Sequence, residues 1–259
     1  MLSTVYSLNP WLVAVGLNTV LGAIALIAPK KLLTPAGLFH GWLLGILIWG
    51  ILGWKGYLVV LFYFLVGSGV TRIGMAQKEA AGIAEKRSGA RGPENVWGSA
   101  LTGTLCALGI LALPYLNGET QFATALLLLG YVASFSTKLS DTCASEVGKA
   151  YGQRTFLITT LQPVARGTEG AVSLEGTLAG VVASIAIALV GWGVGLIDIV
   201  GVVWCVIAAF VATNLESVIG ATLQSKFDWL TNEVVNFLNT LIGAITAVLL
   251  ALAWVSFSQ

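Results

Sequence analysis

Two runs of residues in this chain have types and spacings that could do chemistry. The richer one reads Lys138-Leu-Ser-Asp141-Thr-Cys-Ala-Ser145-Glu146-Val-Gly148-Lys149-Ala-Tyr-Gly152. If it is helical, spacings of three and four put Lys138, Asp141, Thr142, Ser145 and Lys149 on one face. Glu146 then lies about 140° round from Asp141. A carboxylate flanked by lysines and small residues can hold Mg²⁺ against a polyphosphate. The plainer alternative is a surface ion pair between Lys138 and Asp141. The second run is a basic, glycine-containing turn, Ser88-Gly89-Ala90-Arg91-Gly92-Pro93-Glu94-Asn95, and Arg166-Gly167-Thr168 is a similar turn further on. Glycine lets backbone N–H groups approach an anion, and an arginine fork can grip a phosphate through two bonds. Basic residues that merely orient a membrane protein would look the same.

Other polar groups sit at the margins of apolar segments. Glu175 opens one segment and Glu216 closes another. An unpaired acid at membrane depth costs several kcal/mol, so its default reading is functional. Asn232, Asn236, Asn239 and Thr240 recur at i, i+4, i+7 and i+8, a stripe expected to face the interior of a bundle. Its alternative is interhelical glue.

These groups need a scaffold, and composition says which kind. Of 259 residues, 57% are hydrophobic and only 10% charged, against roughly 25% charged in soluble domains. Only a bilayer can cover so much apolar surface. The expected fold is all-α, a single polytopic transmembrane bundle over residues 1–259, with about eight spans (seven to nine). The spans are read at 11–28, 36–53, 56–70, 96–114, 121–135, 173–192, 196–220 and 234–257. The second and third are short and could be a re-entrant pair or one bent unit. No positive residue precedes the first apolar run, so it is expected to be a true span and not a cleaved signal. Twelve of the thirteen Lys and Arg fall in segments on one face, and Lys55 alone falls on the other. The positive-inside rule makes the first face cytoplasmic and places both termini outside. Two long loops, 71–95 and 136–172, are expected to form the polar site there.

Several classes are excluded or disfavoured. The net charge of +1 and the lack of a basic domain argue against nucleic acid. His40 is the only histidine, so neither His-dependent catalysis nor a zinc site is favoured. Cys106, Cys143 and Cys205 are scattered and read as core residues. Gly148-Lys149 lacks the rest of a Walker A loop. Phosphoryl transfer does not need one, since positioning, Mg²⁺ and cations carry it.

Asp141-x-x-Ala144-x-x-x-Gly148-x-x-x-Gly152 resembles a motif of the CTP-dependent polyprenol kinases, and Ser173-Leu-Glu175-Gly176-Thr177-Leu-Ala179 is similar to their second element. Over nearly the whole chain, Thr71-Arg72, Lys78, the turn from Gly89 to Trp97, Ser140-Asp141-Thr142 and Arg166-Gly167-Thr168 look like the transmembrane protein 19 family, also called domain of unknown function 92. Its plant and cyanobacterial members include the phytyl-phosphate kinase of tocopherol and phylloquinone synthesis. The resemblance implies a Mg²⁺-dependent transfer from CTP or a similar triphosphate to an isoprenoid phosphate lipid, most directly phytyl phosphate. It implies a bacterial inner, thylakoid or plastid envelope membrane. By the family pattern, Asp141, Lys149 and Arg166 are the catalytic candidates and Asp141 and Glu146 the metal candidates, to which Glu216 is added as an acid at membrane depth. Arg72, Lys78, Arg91, Gly92, Asn95, Lys138, Gly148, Gly167, Thr168 and Glu175 are candidates for binding phosphate or nucleotide. Asn232, Asn236 and Asn239 would lie near the lipid acceptor. One departure is Val172, where the family often carries a basic residue. Two rivals stay open: an alcohol kinase or CDP-lipid cytidylyltransferase, and a transporter or flippase.

Overall fold

The structure is a computed structural model that describes residues 9–116 and 120–258. Its long helices are α1 (Pro10–Ile27), α2 (Pro35–Thr71), α4 (Pro93–Ala112), α5 (Thr120–Tyr151), α6 (Leu174–Gly193), α7 (Ile199–Ile219) and α8 (Asn232–Ser258). A short helix α3 (Met75–Ala80) and a two-stranded antiparallel hairpin, β1 (Thr155–Leu157) with β2 (Ala171–Ser173), complete the pattern. Seven helices are long and apolar enough to cross a membrane. The chain is an all-α integral membrane bundle.

One of the seven crosses twice. Gly53 has φ +64° and ψ −161°, far from helical values, a conformation that glycine adopts without a Cβ clash. The chain reverses there. Arg72 donates to the Lys31 carbonyl at 2.9 Å, joining the two ends of α2. Arg91 touches both arms: a Cβ on Gly37 would meet its backbone and one on Gly67 its guanidinium. Those two glycines would stand about 45 Å apart in a straight helix. The expected second and third spans are therefore the two arms of one hairpin, turned at Gly53.

Contacts fix the remaining directions. Trp11 packs against Gly50, near the hairpin tip. Lys55 lies near Gly195, in the turn between α6 and α7. Trp254 near the end of α8 meets Trp204 near the start of α7. So the start of α1, the hairpin tip and the end of α8 share one face. The loops carrying the other twelve Lys and Arg share the opposite face, called the basic face below.

A second difference concerns 136–149. The sequence reading ends its fifth span at residue 135 and makes 136–172 a loop. In the structure α5 continues to Tyr151. It is 32 residues long, or about 48 Å, which overshoots the ~30 Å hydrocarbon core. Its polar end is hidden from a hydropathy scan because the charges are buried and paired rather than absent. The two remaining loops are shorter than expected and lean over the helix ends.

Small residues set the closest approach in the bundle. Ser140, Ala144 and Gly148 on α5 face Gly176 and Gly180 on α6. A Cβ on Gly176 would fall 2.5 Å from the Ala144 carbonyl oxygen, and one on Gly180 would fall 3.0 Å from that of Ser140. The Ala144 and Gly148 positions of the kinase-like motif are thus a packing seam that lets α6 slide in beside Asp141. Gly176→Ala should lower thermal stability in detergent by about 1–3 kcal/mol, the usual cost of overpacking. Gly22→Ala, which meets open space, should be neutral or stabilising, as differential scanning fluorimetry would show.

Candidate active site

A cavity of about 990 Å³ opens on the basic face. Its walls come from the ends of α2, α4, α5, α6, α7 and α8 and from both loops. Seven carboxylates line it (Glu85, Glu94, Asp141, Glu146, Glu169, Glu216 and Glu233) beside five cations (Lys86, Arg87, Arg91, Lys138 and Lys149). Acids outnumber bases, so a polyphosphate could enter only with additional positive charge.

Asp141 anchors one wall. Lys138 donates to its Oδ2 at 2.6 Å and to Asn236 Oδ1 on α8, also at 2.6 Å. All three side chains are buried. The ammonium is thus shared between α5 and α8, which fixes the carboxylate's rotamer and leaves Oδ1 for another partner. Glu216 on α7 lies within electrostatic reach of Asp141, Lys138, Glu169 and Lys149. Thr213, one turn before it, lines the same cavity, and its buried hydroxyl has no partner among the described residues.

Glu146 is held differently. Lys78, only 1% exposed, pairs with one carboxylate oxygen and donates to the Thr71 carbonyl at 2.8 Å. Lys149 reaches the other oxygen at 3.2 Å. This cluster ties α3 and the end of α2 to α5. Lys149 keeps its outer side toward the cavity.

Arg91 is the cation best placed for an anion. Its backbone is clamped, N–H to the Leu32 carbonyl and carbonyl to the Thr34 N–H, each at 3.0 Å. Its guanidinium donates to Tyr63 Oη at 2.5 Å and lies 5.0 Å over that ring. It has no carboxylate partner among the described residues, so its remaining N–H groups are available to the cavity. Before it, Arg87 and Ser88 both take positive φ, 55° and 49°. Side chains with a Cβ rarely adopt that region, so the turn before Arg91 is held under strain by its surroundings. Arg87 pairs with Glu94 and donates to Asn95 Oδ1 at 2.9 Å, and Asn95 in turn accepts the Gly92 N–H at 3.0 Å.

The β1–β2 hairpin closes the far side. It carries Thr168, Glu169 and Gly170 over the cavity, where a Cβ on Gly167 would clash with Ile83 of the other loop. The two loops therefore meet above the site.

Most sequence candidates converge here. Asp141, Glu146, Glu216, Lys138, Lys149, Arg91, Asn95, Gly148, Gly167, Thr168, Asn232 and Asn236 all line the cavity. Five others and Gly92 do not. Arg72 holds the carbonyls of Ser68 and Lys31. Lys78 is consumed by Glu146. Arg166 donates to the Ala150 carbonyl at 3.2 Å. Glu175 accepts the Gln153 N–H at 3.3 Å. Asn239 is fully buried in α8, with neither amide atom paired among the described residues, and Gly92 serves the Arg87–Glu94–Asn95 turn. Tyr63 and Thr213 escape a sequence reading, because an aromatic or threonine in an apolar span carries no local signal of its partner. His40 Nδ1 accepts the Trp97 indole N–H at 2.9 Å, a packing role.

Asp141 and Glu216 offer hard oxygen donors, but no group of three or more His, Cys, Asp or Glu among the described residues could hold a metal ion alone. Mg²⁺ fits such a site, since it ordinarily takes one or two carboxylates and completes its shell with phosphate and water.

Residues 18–244 match the family described as integral membrane protein DUF92. The chain belongs to this family. An uncharacterized membrane protein of Synechocystis sp. is 68% identical over 239 residues, covering 92% of this chain and 90% of that one. Protein VTE6, chloroplastic, of Arabidopsis thaliana is 48% identical over 220 residues, covering 84% of this chain and 65% of that one. An uncharacterized membrane protein of Methanocaldococcus jannaschii is 33% identical over 226 residues, covering 87% and 88%. No solved structure matches. The family named by the sequence resemblance is thus the one found.

Glu146→Ala should destabilise the fold by about 3–5 kcal/mol, because it strands the buried Lys78 ammonium. The double variant Lys78→Met with Glu146→Leu should recover much of that loss. A double-mutant cycle on detergent unfolding measures the difference.

Proposed function

We propose that this protein is a lipid kinase. It moves the terminal phosphoryl group of a nucleoside triphosphate, CTP or a similar one, onto a prenyl monophosphate. The best acceptor is phytyl phosphate, giving phytyl diphosphate for tocopherol and phylloquinone synthesis. The observation that carries this reading is one cavity lined by Asp141, held by Lys138, by a second acid, Glu216, and by Arg91, which has no carboxylate partner among the described residues. The kinase-like motif around Asp141 supports it from the sequence side. So does the similarity to a chloroplast relative.

The chemistry follows from charge. An acceptor phosphate oxygen attacks the γ-phosphorus, the bond to the β-phosphate oxygen breaks, and the nucleoside diphosphate leaves. The acceptor is already an anion, so no strong base is needed. The barrier lies in bringing like charges together. Arg91 and Lys149 would hold phosphates, and Lys138 would orient Asp141. Asp141 and Glu216 would hold Mg²⁺, which when bound neutralises developing charge on the phosphoryl oxygens. An alcohol acceptor would instead need Asp141 to take a proton. The positive-inside rule puts the basic face in the cytoplasm or its plastid equivalent, where the nucleotide is. Asn18, a polar residue deep in the first span, gives no support to a transporter, since it is used by Tyr57 Oη at 2.9 Å and the Ala14 carbonyl at 2.9 Å.

Purified protein in nanodiscs, given Mg²⁺, γ-labelled CTP and, in parallel reactions, phytyl phosphate or phytol, should place label in phytyl diphosphate from the monophosphate. Chelating Mg²⁺ should stop transfer. Asp141→Asn should reduce kcat by at least ~10²-fold, the scale seen when one preorganised charge is lost, while membrane insertion is unchanged. Label entering phytol instead would move the protein to the alcohol kinases. No transfer from CTP, ATP, GTP or UTP would defeat the kinase reading.

A further inference from the structure

The cavity is walled unevenly. Below Asn236, α8 continues as Asn239 and Thr240, both fully buried. Below Lys138, α5 continues as Phe135 and Val132, also fully buried. On α4, Thr102 beneath Ser99 is buried and bonded to Thr240 at 2.8 Å. These three helices seal the cavity with protein.

The side formed by α6 and α7 is built differently. Thr213, Asn214 and Ser217 line the cavity on α7, and the deepest lining residue on that helix is Phe210, 49% exposed. Its helix face continues down as Ile207 and Val203, at i−3 and i−7, and both are exposed apolar residues. On α6, Thr177, Gly180 and Val181 line the cavity. The face of Val181 continues as Ile185, Leu189 and Trp192, at i+4, i+8 and i+11, again all exposed. From Val181 to Trp192 the stripe runs about 16 Å, roughly one leaflet of a ~30 Å hydrocarbon core. The inner faces of both helices stay packed below the cavity, through Ala183 and Ser184 on α6 and Ala209 on α7, so the charged chamber meets lipid-facing apolar surface along these outer stripes alone. Its polarity changes from ionic to apolar along one line, as a single-chain amphiphile's does.

We infer that the phosphate-bearing lipid enters and leaves sideways, from the leaflet on the basic face, through the seam between α6 and α7. Its single apolar chain lies along Val181, Ile185, Ile207 and Phe210, and its anionic head rises toward Lys138 and Lys149. The inference rests on the lipid-phosphate reading above and adds the route and the chain-binding surface. A three-sided seal explains why the head need not be dragged through the aqueous mouth, while the nucleotide uses that mouth. The two substrates then arrive by separate doors, and neither must wait for the other to clear the entrance.

Two measurements test it. In the first, Ile185→Trp and Ile207→Trp narrow the seam below the cavity without touching its lining. Each should raise KM for membrane-embedded phytyl phosphate about tenfold or more. KM for the nucleotide, and for a water-soluble five-carbon prenyl phosphate, should not move. Leu252→Trp, an equally bulky change on the exposed side of α8, should leave all three unchanged. Equal loss with long and short acceptors, or no loss with the long one, would overturn the seam. In the second, wild-type protein in nanodiscs is irradiated with a prenyl phosphate carrying a diazirine near its tail, and no turnover is needed. Label on α6 and α7 peptides, competed by unlabelled phytyl phosphate, is the expected result. Competed label on α1, α4 or α8 would overturn it. Label at the seam without phosphotransfer in the companion assay would keep the seam and remove the kinase reading.

Discussion

A lysine and a carboxylate removed from water together cost far less than either removed alone, and this structure depends on that asymmetry. The polar end of α5 carries Lys138, Asp141 and Glu146 into a buried setting. Lys138 and Asp141 answer each other one turn apart on α5, with the neutral Asn236 of α8 accepting a second bond from the lysine, and Lys78 on α3 answers Glu146. These pairs allow one helix to project about 18 Å of polar surface beyond the hydrocarbon core without melting into a loop. They also decide which charges are spent on structure. Glu146 is paired with two lysines, whereas among the described residues Asp141 Oδ1 has no hydrogen-bond partner and Arg91 no acid.

Close backbone approach is the second requirement, and it depends on the first. Because α5 stays helical past the membrane, α6 can pack against it over its first turns. The small residues Ser140, Ala144 and Gly148 then meet Gly176 and Gly180 directly. Ser173, the last residue of β2, caps α6 by accepting the Gly176 N–H at 3.1 Å. The hairpin, the cap and the glycine seam are consecutive in the chain, and together they bring Thr168 and Glu169 to the cavity that Asp141 lines.

Much of this was legible in the sequence. The membrane class and the one-sided charge follow from composition and spacing, while the second and third spans stay open between a re-entrant pair and one bent unit until the turn at Gly53 joins them. Asp141, Lys138, Lys149 and Arg91 converge on one cavity because their motifs sit at helix ends on a common face. What was not legible has one physical cause: a buried charge and a solvated charge look alike in a string of letters. Lys78 reads as a loop cation and is in fact sealed against Glu146. Residues 136–149 read as a connector because hydropathy counts charges and not their partners. Tyr63 and Thr213 belong to apolar spans, and only the fold shows what they face. Gly148 reads as a phosphate-approach glycine, and although it lines the cavity, its closest neighbours are Ser173 and Gly176.

The reversal at Gly53 also sets an order of events during synthesis. Every group that seats Arg91, namely Leu32, Thr34, Gly37, Tyr63 and Gly67, lies earlier in the chain than Arg91 itself. The two arms of α2 can leave the ribosome and enter the bilayer as a pair, with only Lys55 to carry across. When residue 91 is added, its direct partners are already made and about two-thirds of the chain is still to come, including Phe135, which later packs on Tyr63. The arginine's direct partners thus precede it in the chain, and the helices that bring the acids follow it.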